Sequence, residues 1–303
     1  MGSVTWKSYV KYKFLFLLLL PALAYMIIFN YAPMYGVLIA FKDYSFTKGV
    51  WASPWVGFEH FHQLFNASTN FTRILRNTVV ISGLKMIFTF GGAIVLALFI
   101  NEIRSTAFKR ITQNISYLPH FLSWVIIGSI MMEMLSPSNG VVNKIIELFG
   151  GQTIYFLADK YWFLSIIVAS DIWQSIGWGS IIYLAAISGI DPQLYDSAKI
   201  DGAGRARQMF SITLPSIANV IAIMLILQVG SILNAGFDQI FNLYNFKVFE
   251  VADILDTYAY RAGLEQGNYS LSTAVSLFKN GVGLVLVLIA NKIVNRMGHT
   301  GLW

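Results

Sequence analysis

The feature that most constrains this chain is a set of six long apolar runs: Phe14–Tyr31, Thr78–Ile100, Ile115–Leu135, Trp162–Ile190, Ile217–Leu233 and Leu271–Ile293. A helix needs about 20 mostly apolar residues to cross a hydrocarbon layer about 30 Å thick, and the runs are of that order. Composition agrees. Of the 303 residues, 56% are hydrophobic and 12% charged, whereas a soluble domain carries about 25% charged residues. The expectation is an all-α integral membrane protein: one transmembrane domain, six transmembrane helices, and a core over about residues 70–293. An even number of crossings puts both termini on one side.

Lysine and arginine gather on the cytoplasmic side of a membrane. The side holding the termini carries Lys7, Lys11, Lys13, Arg104, Lys109, Arg110, Lys199, Arg205, Arg207, Lys292 and Arg296. The other side carries Lys42, Lys48, Arg73, Arg76, Lys144, Lys160, Lys247 and Arg261, diluted over longer loops. Both termini are therefore expected in the cytoplasm, in a multi-pass protein of the cytoplasmic (inner) membrane. The basic residues form no block, so the formal charge of +6 reflects topology and implies no nucleic-acid partner. The opening Met1-Gly2-Ser3 reads as a tag remnant and is set aside.

The segment 191–215 then becomes a cytoplasmic loop between the fourth and fifth spans. Asp191 before Pro192 is a helix start, the carboxylate capping free N–H groups and the proline filling the first helical position. Gly202 can adopt the left-handed conformation that ends a helix. The spacing predicts a short helix over Pro192–Ile200, a turn at Gly202, a second helix to Ser211, and a break at Leu214-Pro215 before the fifth span. Leu194, Ser197, Ala198 and Asp201 share one small, weakly apolar face of the first helix. Such a face suits another protein's groove; a simple re-entry between two spans would have the same pattern.

The residues Asp196-Ser197-Ala198, Asp201-Gly202-Ala203, Phe210, Ile212 and Leu214-Pro215 resemble the "EAA" loop of ABC-importer permeases, with Asp-Ser standing where that motif has Glu-Ala. In that family the loop is the coupling helix that docks on an ATPase subunit. Independently, the stretch Leu18 to Phe61, with "PMYGVLIAFKDY" inside it, resembles the first span and outer loop of saccharide-importer permeases of the polysaccharide, aldouronate and alginate type. The resemblance implies a type I importer permease fold and a saccharide cargo, acidic and alginate-like in this branch. It also implies a second permease in a heterodimer, two ATPase subunits that hold ATP and Mg²⁺, and an extracytoplasmic solute-binding protein.

No catalytic machinery is evident in the chain itself. There is no G-x-x-x-x-G-K-[ST] phosphate loop, and "GAGRAR" lacks the dinucleotide fingerprint. Cysteine is absent, and of four histidines only His60 and His62 are close, without a third ligand nearby. Asp171 is the one aspartate inside a span, where an intramembrane protease would want two. Neither a catalytic site nor a cofactor is expected on this chain.

Polar residues inside spans mark a pathway or a partner. Asp171, Gln174, Ser175 and Trp178 recur at helical spacing in the fourth span; Thr273, Ser276, Lys279 and Asn280 do so in the sixth; Gln228 and Ser231 add a shorter stripe in the fifth. They are expected to line a shared polar interior, or else to hold helices together by hydrogen bonds. Trp178 is the aromatic candidate for stacking on a sugar, whereas Trp162 and Trp173 read as interface anchors. Lys85 and Lys279 would either attract a uronate carboxylate or snorkel to the outer interface. A contrasting reading is an ion-coupled secondary transporter or a membrane enzyme that needs no ATPase; against it, intramembrane carboxylates are sparse and no internal repeat is evident.

Overall fold

The computed structural model describes residues 12–66 and 70–303; Met1-Gly2-Ser3, Lys7 and Lys11 lie outside them. Among the described residues the regular structure is helical, with one isolated bridge between Lys42 and Trp55. Among the described residues, three helices are long and apolar enough to cross a membrane: α1 (Lys13–Phe41), α2 (Phe71–Glu102) and, near the C-terminus, Tyr269–Arg296. Two bent pairs raise the number to as many as five.

α1 runs ten residues past the expected end at Tyr31, through a π turn at Ile27–Tyr31 into a tight 3-10 segment, Ala32–Phe41. Pro33 does not stop it, because proline at the start of a helical segment removes a donor that has no partner there. No residue of Lys13–Met26 is buried. An apolar helix uncovered by its own chain suits a lipid or protein surround. α2 contains a π turn at Met86–Phe90.

The third apolar run does not form the straight span expected over Ile115–Leu135. It splits into α3 (Thr106–Phe121) and α4 (Trp124–Met134), bent by 98°. Pro119 begins the last tight turn of α3, and Ser123 caps α4 by accepting from Ile126 N–H at 3.4 Å, so the chain ends one helix and starts another.

α5 (Lys160–Ser188) is 29 residues long, about 43 Å at 1.5 Å per residue. Asp159 caps it, its Oδ1 accepting from Tyr161 N–H at 2.9 Å and Trp162 N–H at 3.0 Å. It is missing from the helices counted as apolar enough to span, because polar side chains are set into its packed face. Phe163, Ile167, Ser170, Gln174, Gly177, Ser180, Tyr183 and Ile187 form its buried seam, at the three-to-four-residue spacing of one helix face. The seam meets Ala93, Ala97 and Leu98 of α2 and, nearer its other end, Ile81, Ile240 and Ile254.

After α5 come α6 (Pro192–Ile200), α7 (Arg205–Ser216) and α8 (Ala218–Gly230), the last two bent by 60°. α9 (Phe237–Leu243), α10 (Leu255–Tyr260) and α11 (Tyr269–Arg296) complete the bundle. At one end, Glu102 lies 4.0 Å from Arg205, and Asn219 pairs with His299 at 3.0 Å. At the other, Ser270 Oγ donates to Lys42 O at 2.7 Å, Asn77 donates to Glu250 O at 2.9 Å, and Lys160 pairs with Glu250. Glu250 is exposed, and its hydrogen bond from the Lys160 ammonium lowers its carboxyl below the usual range.

Candidate functional site

Two sites stand out, joined by α5. The first is a cavity of about 340 Å³ between α2, α5 and α8, with His120 from the end of α3 and Asn234 and Gly236 from the turn before α9. α5 contributes Asp171, Ser175, Trp178, Gly179 and Tyr183; α2 contributes Ser82, Lys85, Met86, Thr89, Phe90 and Ala93; α8 and the residues after it contribute Met224, Gln228, Ser231 and Ile232.

The cavity wall contains a polar lock. Lys85 Nζ lies 3.2 Å from Asp171 Oδ1, donates to Ala235 O at 2.8 Å, and donates to Gln239 Oε1. Thr89 Oγ1 donates to Asp171 Oδ2 at 2.7 Å, and Gln239 Nε2 donates to Ile167 O at 2.7 Å and Ser170 Oγ at 2.8 Å. Gly236 has φ +91° and passes so near that a Cβ there would lie 2.7 Å from Lys85 Nζ. Three ammonium hydrogens thus face three acceptors, as a cation in a low-dielectric interior requires.

The structure places Asp171, Trp178 and Gln228, from the stripes of the fourth and fifth runs, at this cavity together with Lys85, which belonged to no expected stripe. Gln174 turns into the buried seam, accepting from Ser175 Oγ at 2.8 Å, and is absent from the lining. Ser276, Lys279 and Asn280 also stay off the lining; Ser276 and Asn280 are exposed. Both lysines are held by partners within the chain. Lys85 is buried in the lock, and Lys279 donates to Asp256 Oδ1 and to Asn234 Oδ1 at 2.9 Å. The second run, which sequence reading left without a polar stripe, has one: Thr78, Ser82, Lys85 and Thr89 at steps of four, three and four, the first three buried. The spacing was visible in the sequence. Gln239 was not, since it belongs to a segment that reads as an outer loop.

The second site is the loop. α6 forms over Pro192–Ile200 as expected, with Asp191 Oδ1 accepting from Gln193 N–H at 3.0 Å. Gly202 takes φ +74°, and Ala203 N–H reaches back to Ala198 O at 2.8 Å, closing the helix end. The expected stop at Ser211 and break at Leu214-Pro215 do not occur. The helix continues through a π turn, Met209–Thr213, and the bend falls at Ile217. Proline is tolerated because it opens a short new helical piece, Leu214–Ser216. Tyr195 OH pairs with Thr213 Oγ1 at 2.9 Å and fixes α6 against α7. Asp196, Ser197, Asp201, Gly202 and Phe210 are exposed, Ala198, Ala203 and Ile212 half-buried, and Asp196 is bridged to Lys199 at 2.9 Å.

Comparison with known proteins decides the family. Residues 89–240 match the family model of the binding-protein-dependent transport system inner membrane component. The chain belongs to that family. It is 46% identical to the polygalacturonan/rhamnogalacturonan transport system permease protein YteP of Bacillus subtilis (strain 168), over 97% of this chain and 91% of that one. It is also 46% identical to protein LplB of the same organism, over 99% and 95%. In the crystal structure of a bacterial alginate ABC transporter in complex with an alginate pentasaccharide-bound periplasmic protein, one chain superposes with TM-score 0.90 at 42% identity, covering 98% of this chain and 99% of that chain. This chain is therefore the membrane component of a binding-protein-dependent transport system, with the all-helical fold of type I importer permeases.

Proposed function

We propose that this permease is one of two membrane subunits of an ATP-driven importer for an acidic oligosaccharide of the uronate type. The observation that carries the proposal is that only three residues separate α5 from α6. One helix walls the cavity with Asp171, Ser175 and Trp178 and, after the two residues Gly189-Ile190 and the cap Asp191, runs into the exposed helix of the loop. Trp178 and Ser188 are ten residues apart, about 15 Å along the axis. Movement imposed on α6 is thereby delivered to the cavity wall by a rigid element.

In this reading six helices cross the membrane, α5 counted among them despite its polar seam, and both termini lie in the cytoplasm. Residues 191–215 dock on an ATPase subunit, with Ala198 and Gly202 supplying the small, tightly turned surface. ATP and Mg²⁺ are held by two ATPase subunits and not by this chain. A second permease completes a heterodimer in the bilayer, and a solute-binding protein delivers saccharide from outside. The cavity formed by Lys85, Asp171, Trp178 and Gln228 belongs to the path. ATP binding draws the ATPase pair together, α6 follows, and α5 turns the cavity from inward-facing to outward-facing; each ligand biases the state it binds best. The names of the relatives, polygalacturonan and alginate among them, support an acidic cargo.

The test is purification under mild detergent followed by ATPase assay. The chain should bring with it an ATPase and a second membrane protein, and saccharide-loaded binding protein should stimulate hydrolysis. Transport or hydrolysis by the purified chain alone would defeat the proposal.

A further inference from the structure

Among the residues lining the cavity, Lys85 and Asp171 are the lysine, arginine, aspartate and glutamate side chains, and they neutralise each other at 3.2 Å. With its other donors held by Ala235 O and Gln239, Lys85 offers a passing saccharide no unpaired cation. The wall offers an aromatic surface instead. The imidazole of His120 lies parallel to the indole of Trp178, 4.7 Å between centroids and 4° between planes, and Phe121 meets the same indole edge-on at 5.7 Å and 81°. His120 Nδ1 is buried with no hydrogen-bond partner among the described residues, so stacking sets the place of the ring. His120 follows the buried Pro119 at the 98° break between α3 and α4, where the backbone itself positions it.

Even with these two neighbours Trp178 keeps 46% of its surface exposed while lining the cavity. Gln228, on α8, lines the same cavity, is exposed, and its amide makes no hydrogen bond to another described residue. A pyranose ring has complementary chemistry: C–H bonds on its faces, which suit an aromatic plane, and hydroxyls at its rim, which need amide donors and acceptors.

We propose that Trp178, backed by His120 and Phe121, is a stacking subsite for one pyranose unit, with Gln228 meeting rim hydroxyls, and that it reads the C–H face of the sugar and not its carboxylate. The proposal rests on the reading of the cavity as part of a saccharide path. Selection for acidic cargo then falls to parts of the importer other than this wall.

The experiment uses the whole complex in proteoliposomes, with uptake driven by binding protein saturated with a uronate oligosaccharide or its methyl ester, and rates normalised to assembled complex. Trp178→Leu and Trp178→Met remove the aromatic plane but keep an apolar side chain; Trp178→Phe keeps a plane. Leu and Met should each lower uptake by about tenfold for both cargoes, and Phe by no more than about threefold. Equal rates for Leu, Met and Phe would assign the indole to packing, and a loss confined to the free uronate would show that the subsite reads charge; either result overturns the proposal. Absence of uptake by the wild-type complex would instead defeat the importer reading itself, and the subsite with it.

Discussion

Lys85 Nζ and Asp171 Oδ1, 3.2 Å apart, tie α2 to α5 in the middle of the bundle, with side chains only 9% and 17% exposed. Removing one partner leaves the other charge in a largely buried site without its counter-ion, held only by neutral hydrogen-bond partners. Lys85→Met or Asp171→Leu alone should cost about 3 kcal/mol, the low end for breaking a buried pair because one wall is a cavity. The double variant should be more stable than either single one. Apparent Tm of the assembled complex checks this; strictly additive losses would mean that the two residues are not coupled.

The loop makes a second prediction, sharpened by the structure. A Cβ at Gly202 would meet nothing within 4 Å, so size alone is harmless there; the backbone conformation, φ +74°, is what a side chain disfavours. Gly202→Leu carries about 1–2 kcal/mol of strain, whereas Gly202→Asn carries less because asparagine visits the left-handed region. Saccharide-stimulated ATPase activity and uptake should fall in the order Gly, Asn, Leu, with membrane insertion intact. Full activity in the Leu variant would show that coupling does not depend on this turn.

Lys279 provides a third. Its ammonium is held by Asp256 and Asn234, which ties α11 to α10 and to the turn before α9. Lys279→Gln should therefore lower apparent Tm and reduce uptake equally for uronate oligosaccharides and their methyl esters, because Asp256 loses its counter-charge. A loss selective for the free uronate would show that Lys279 leaves Asp256 for the cargo.

Legibility in the sequence follows from locality. The cap at Asp191, the helix Pro192–Ile200 and the turn at Gly202 depend on neighbouring residues alone, and all three are found where the spacing puts them. The 98° break after Phe121 was hidden because hydropathy runs on unbroken across Pro119 and Ser123. The α5 stripe was read as one face but divides in two. Asp171, Ser175 and Trp178 face the cavity, and Gln174, one residue before Ser175, enters the seam. The lock could not be read at all, since Gln239 and the carbonyl of Ala235 come from a segment 150 residues or more beyond Lys85.

The central claim is that this chain carries saccharide only when ATPase subunits act through the 191–215 loop. It is tested most directly by measuring uptake of a radiolabelled uronate oligosaccharide, presented by its binding protein, into proteoliposomes that hold the two permeases with or without the ATPase subunits. The account predicts uptake with ATPases and ATP present on the loop side, and none when the ATPases are omitted or ATP is supplied only on the opposite side. Uptake driven by an ion gradient through the permeases alone would contradict it.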